Sequence, residues 1–154
     1  RKLCYIGDGN NMANSLIVGG LKCGMSVAVA TPETYKPDQQ ILDFAAQYPG
    51  KFEWTADPVT AAKGADAVYT DVWASMGQEG EADARKQVFA GYQINDAVMA
   101  AAAPGAIVLH CLPAHRGEEI STAVFESHAD EIFAEAENRL HVQKAVLSIL
   151  LAGK

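Results

Sequence analysis

Arg1-Lys2-Leu3-Cys4-Tyr5-Ile6-Gly7-Asp8-Gly9-Asn10-Asn11-Met12 runs from a short apolar stretch through two glycines into a helix-forming segment. Residues 3–6 are few and apolar, which reads as a core strand. The glycines provide a tight turn, and residues 11–23 then repeat Met12, Leu16, Ile17 and Leu21 at helical spacing. Gly24 is positioned to end that helix in a left-handed conformation. Strand, turn and helix in this order make the repeating unit of an α/β domain. Because it opens on a core strand without an initiator Met, the sequence is expected to be part of a longer chain.

The same alternation continues outward. Residues 25–30 read as a second strand closed by Thr31-Pro32, and Asp38 can cap a helix running to about Tyr48. Pro49-Gly50 breaks that helix before a brief strand at residues 52–55. Asp57-Pro58 has the form of an N-cap with proline at the first helical position. Residues 65–70 are a fourth strand and residues 106–109 a fifth, with helices expected from about Ala82 and over residues 95–102. A last helix is expected from Asn138 to about Leu151, with Val146, Leu147, Leu150 and Leu151 on its apolar side. The expected fold is one α/β, Rossmann-like three-layer domain with a mostly parallel five-stranded sheet.

At 154 residues such a domain can bury a substantial core. Its 49% hydrophobic and 20% charged residues are the balance of an ordinary globular protein. The net charge of −7, with no basic stripe, disfavours nucleic acid or an anionic membrane surface as a partner. No apolar run approaches the ~20 residues of a membrane span. Three scattered cysteines, Cys4, Cys23 and Cys111, suggest free thiols in a reducing, cytoplasmic setting.

Three polar loops follow strand ends, at residues 7–11, 71–80 and 110–119, and a parallel sheet brings them to one edge. The first invites a dinucleotide reading, which is incomplete. Met12 stands where the third glycine of G-x-G-x-x-G belongs, and no acidic residue ends the second strand. Asn10 and Asn11 instead offer side-chain amides to a carboxylate. In the second loop Asp71, with Ser75 four positions on, suits an ammonium group, while Trp73 and Met76 are expected to cover something. In the third, Cys111 ends a buried strand. His110, Cys111 and His115 lack a second cysteine pair at ligand spacing, so no metal is expected, and no cofactor. Glu135, Glu137 and Arg139 read as charges at the start of the last helix, where an arginine opposes the helix dipole and could be reaching toward an anion or carbonyl.

Together, Asp71-Val72-Trp73-Ala74-Ser75-Met76-Gly77, His110-Cys111-Leu112-Pro113 and Glu137-Asn138-Arg139 resemble the ornithine carbamoyltransferase family over nearly the whole chain. The resemblance implies that residues 1–154 are the ornithine-binding domain and that the carbamoyl phosphate-binding domain is absent. It implies transfer of a carbamoyl group from carbamoyl phosphate to the δ-amine of L-ornithine, giving citrulline. Asn11 and the Met76 backbone would take the α-carboxylate, and Asp71 and Ser75 the α-ammonium. Cys111 would sit near the δ-amine, with Leu112 and Arg139 near the carbamoyl group; Asp71, Cys111 and Arg139 would carry the catalysis. The implied parent is a homotrimer held largely by the absent domain, which leaves this fragment expected to be inactive alone and monomeric. The competing readings are a dinucleotide-binding module and a domain that only binds amino acids.

Overall fold

A computed structural model describes residues 1–74, 80 and 82–152. Five strands, β1 (Lys2–Ile6), β2 (Ser26–Ala30), β3 (Phe52–Thr55), β4 (Ala67–Thr70) and β5 (Ile107–His110), form a sheet of order β3-β2-β1-β4-β5. All four pairings are parallel. Parallel strands are covered on both faces, so their residues are apolar without alternation. In β1, Cys4 and Ile6 enter the core on one face, while Leu3 and Tyr5 enter that on the other.

Helix α1 (Asn11–Lys22) packs Ala13, Ile17 and Leu21 on the Leu3/Tyr5 face. Burying Ile17 and Leu21 contributes ~1.5–3 kcal/mol each. The Asn10 side chain caps this helix by accepting from Met12 N–H at 2.9 Å, and Gly24 closes it at φ 79°. On the same face lies α2 (Gln39–Ala45), shorter than the run to Tyr48 expected. Asp38 stands at its start without capping it, because its carboxylate is taken by Asn14 Nδ2 at 2.8 Å. The opposite face carries α3 (Pro58–Ala62), α5 (Asp96–Ala101) and α6 (Thr122–Ser127). Asp57 caps α3 as its sequence suggests, accepting from Val59 and Thr60 N–H. Between β4 and α5, α4 (Ala82–Phe89) follows the second loop.

The last helix departs from expectation. It is α7 (Ala129–Leu151), so it begins at Ala129 and not Asn138, and α6 precedes it. Residues 122–137 hold no glycine or proline, and Asp130 and Glu131 in the first turn suit the dipole. Glu135, Glu137 and Arg139 are therefore interior helical residues, and the expectation of an arginine opposing the dipole falls away. Only Ile132 of α7 is fully buried; Leu140, Val142, Val146, Leu147, Ile149, Leu150 and Leu151 are all exposed among the described residues. No described helix is long and apolar enough to cross a membrane.

Candidate functional site

Strand order reverses direction between β1 and β4, the switch point where open parallel sheets leave a crevice beyond their carboxyl ends. The three polar loops follow β1, β4 and β5, which are neighbours in the sheet. Asp71 leaves β4 and Cys111 leaves β5, and the Cys111 thiol donates to Asp71 Oδ1 at 3.1 Å. The same oxygen accepts from Val72 N–H at 2.8 Å. Burial pushes the Cys111 thiol up to about 12, aided by the bond to Asp71 and by the charges of Asp71 and Glu135. This cysteine is a neutral hydrogen-bond donor at neutral pH, unlike the low-pKa thiolate of a nucleophile.

Behind the thiol, Tyr69 Oη donates to Glu135 Oε1 at 2.6 Å. The second oxygen of Glu135 is buried without a hydrogen-bond partner among the described residues. Tyr5, 6.3 Å from Tyr69 between ring centroids, also has a buried hydroxyl with no partner among the described residues. Burial raises its pKa well above normal, and Asp71 and Asp8 add to the rise. Negative and neutral acceptors thus crowd this end of the crevice. Arg139 lies one turn beyond Glu135 on α7, roughly 6 Å along the axis, and is exposed. Asn11 is exposed at the first turn of α1. Leu112 follows Cys111 with a left-handed φ of 56°, unusual for a residue with a side chain, and a cis peptide bond to Pro113. Ser75 and Met76 lie outside the described residues.

Two networks escaped the sequence reading. Arg85 of α4 is buried and forms an ion pair with buried Asp8. Its Nε donates to Trp73 O at 2.6 Å, and its guanidinium lies over Tyr35 at 4.8 Å. One arginine therefore ties the Gly7-Asp8-Gly9 turn to the start of the second loop. Burial still raises the Asp8 pKa, against the lowering effect of Arg85. Trp73 is buried and stacks on Phe89 with ring centroids 6.0 Å apart. The second network joins His110 and Glu119, both fully buried, at 2.9 Å. No local pattern marks either pair, since their members stand far apart in sequence or on opposite sides of a loop.

The structure also bears on alternatives. Asp71, His110 and Cys111 bring potential ligand atoms within 4.8 Å. Both His110 nitrogens are engaged, however, Nδ1 by Leu112 N–H at 3.0 Å and Nε2 by Glu119, so His110 offers a metal no free lone pair. A Cβ on Gly9 would meet Tyr35 O and Lys36 C at 2.3 Å. The close approach that a dinucleotide pyrophosphate needs at the second glycine is taken by the chain's own backbone. A depression of about 480 Å³ lined by Trp73, Ala74, Lys86, His115, Arg116 and Glu118 does not include Asp71 or Cys111. Chemistry at the switch point, more than enclosure, marks the site.

Comparison with known proteins agrees. A sequence model described as the Asp/Orn-binding domain of aspartate/ornithine carbamoyltransferases matches residues 1–150. An ornithine carbamoyltransferase of Symbiobacterium thermophilum is 54% identical, over 98% of this chain and 50% of that protein. The anabolic ornithine carbamoyltransferase structure from Campylobacter jejuni superposes with a TM-score of 0.93 at 41% identity, covering 99% of this chain and 52% of that one. The ornithine carbamoyltransferase structure from Pyrococcus furiosus gives 0.91 at 49% identity, covering 99% and 50%. The chain spans about half the length of the relatives it matches.

Proposed function

This chain belongs to the aspartate/ornithine carbamoyltransferase family through its Asp/Orn-binding domain, and on that premise we propose that it is the ornithine half of an ornithine carbamoyltransferase. The reaction is attack of the ornithine δ-nitrogen on the carbonyl carbon of carbamoyl phosphate. A C–N bond forms, the C–O bond to phosphate breaks, the nitrogen gives up a proton, and L-citrulline and phosphate leave. Carbamoyl phosphate is held largely by the other half of the parent, a trimer acting in the cytoplasm.

The observation that carries this reading is the neutral Cys111 thiol bonded to Asp71, with Glu135 close behind. An acceptor with a second carboxylate, such as aspartate, would meet repulsion from Asp71 and Glu135. Arg85, the buried cation nearby, is already committed to Asp8. A cationic acceptor is attracted, so the local charges favour ornithine.

The δ-ammonium starts near the lysine value of ~10 and must lose a proton before it can attack. Cys111 keeps its own proton, so it orients the amine, and the Asp71 carboxylate is the acceptor beside it. Asp71 and Ser75 also receive the α-ammonium, while Asn11 and the Met76 backbone receive the α-carboxylate. Leu112 and Arg139 face the carbamoyl group, where Arg139 offsets the charge that develops on oxygen. A domain that only binds amino acids would use the same half-site, and turnover separates the two. The test is citrulline formation by the full-length protein with ornithine, with aspartate in parallel, for wild type and Cys111→Ala. Wild type should carbamoylate ornithine and the variant should turn over more slowly. Preference for aspartate would refute the assignment, and an unchanged rate in the variant would refute the role given to Cys111.

A further inference from the structure

His110 accepts a hydrogen bond at Nδ1 from Leu112 N–H at 3.0 Å. A nitrogen that accepts carries no proton, so the neutral ring has its proton on Nε2. That proton points to Glu119 Oε1, 2.9 Å away. The same carboxylate oxygen accepts from His115 N–H at 2.6 Å. One buried oxygen therefore ties the beginning of the 110–119 loop, through the imidazole, to its middle.

Glu119 is itself held. Its backbone carbonyl accepts from Ile94 N–H at 2.8 Å, and Ile94 O accepts from Ser121 N–H at 2.9 Å. Gln93 Nε2 spans Gly117 O and Glu118 O at 2.9 and 2.8 Å. Glu119 Oε2, by contrast, is buried with no hydrogen-bond partner among the described residues. A carboxylate sealed in a core with one oxygen bare opposes folding. An apolar residue of similar size would avoid that cost, so packing alone does not account for it. What the carboxylate does provide is the tautomer of His110.

The consequence falls on the Cys111–Leu112 peptide. Its N–H is the group bonded to His110 Nδ1, and Leu112 holds the left-handed φ of 56°. The ring and the thiol flank this peptide closely, with ligand atoms of His110, Cys111 and Asp71 all within 4.8 Å of one another. A rotation of this peptide would move the thiol away from Asp71 and swing Leu112 together.

We propose that Glu119, acting through the single tautomer of His110, is a positioning residue that sets the Cys111–Leu112 backbone at the carbamoyl end of the transfer site. This rests on the ornithine carbamoyltransferase reading above. The relay acts on geometry and touches neither substrate, so it governs the chemical step more than ornithine capture.

The experiment compares two replacements of His110 in the full-length protein. The amide oxygen of His110→Asn reaches the place of Nδ1 and can still accept from Leu112 N–H. His110→Gln reaches the place of Nε2, keeps Glu119 company and leaves Leu112 N–H without its acceptor. His110→Gln is expected to lose about tenfold to a hundredfold in kcat, the range for groups that orient a reacting residue, with the ornithine KM little changed. His110→Asn is expected to recover most of that loss. Equal kcat in the two variants, or a loss confined to KM, overturns the proposal.

Should either variant fail to fold, the wild-type imidazole nitrogen shifts decide the matter. A proton on Nε2 supports the relay and a proton on Nδ1 overturns it. A folded wild-type protein that fails to carbamoylate ornithine would instead refute the function, while the same shifts still test the relay.

Discussion

Replacing Arg85 by Met removes the charge that faces Asp8 while keeping much of the side chain's bulk. Both partners are nearly solvent-free, with side-chain exposures of 5% and 10%, so Asp8 would be left as a buried charge without its ion-pair partner, helped only by the Gly9 backbone. Breaking such a pair from one side costs about 3–5 kcal/mol. The loss of the bond to Trp73 O belongs to the same removal and is not added again. Against a typical total of ~5–15 kcal/mol this is a large fraction, and it corresponds to a fall in Tm of about 10 °C at ~2–4 °C per kcal/mol.

The pH dependence has a definite sign. Burial raises the folded pKa of Asp8 above its ordinary 3.8. The folded state therefore binds the proton more tightly. That contribution is fully present below 3.8 and is lost as pH rises through the folded value. Removing Arg85 takes away an influence that lowers this pKa, so the window extends upward. The variant should lose less at pH 5 than at pH 8, because protonation rescues the unpaired carboxylate. The assay is urea unfolding of the chain at both pH values, with Asp8→Asn added to complete a double-mutant cycle. Asp8→Asn should recover much of the loss in the Arg85→Met background. A cost below ~1 kcal/mol at pH 8, a larger loss at pH 5, or no recovery would refute the reasoning.

Three further outcomes are expected. Gly9→Ala would drive a methyl into the backbone of residues 35–37 and should cost about 3 kcal/mol or more, whereas Gly19→Ala, with open space around it, should gain about 0.5–1 kcal/mol; thermal melts that rank the two the other way would contradict this. Among the thiols, exposed Cys23 should react first with a maleimide at pH 8, while Cys111 and Cys4, both pushed up to about 12 chiefly by burial, hold only about one part in ten thousand as thiolate there. Peptide mass spectrometry reporting Cys111 as the fastest site would speak against a neutral, orienting thiol. Tyr69→Phe leaves Glu135 with neither oxygen hydrogen-bonded and should destabilise by about 1–3 kcal/mol in denaturant unfolding; a neutral result would show that Glu135 reaches water instead.

The sequence by itself determined what local chemistry can encode. Apolar period, glycine and proline positions and the cap at Asp57 act over a few residues, so the five strands and most helices were legible, while the expected cap at Asp38 was not formed. The quoted motifs placed Asp71 and Cys111 at strand ends on one edge, because parallel order follows from strand–helix alternation. The start of α7 was not legible. The apolar stripe of its first turns reduces to Ile132 and Phe133 amid acidic residues, and charges that look solvated gave no sign of burial.

Only the tertiary structure decided three pairings about the crevice: Asp8 with Arg85, Tyr69 with Glu135, and His110 with Glu119. Each joins residues on different elements or across a loop, where no spacing rule operates. Burial then decided their state, because the cost of a charge depends on how much water remains around it. That is why one cysteine of three, unremarkable in composition, stands as a protonated donor beside a carboxylate.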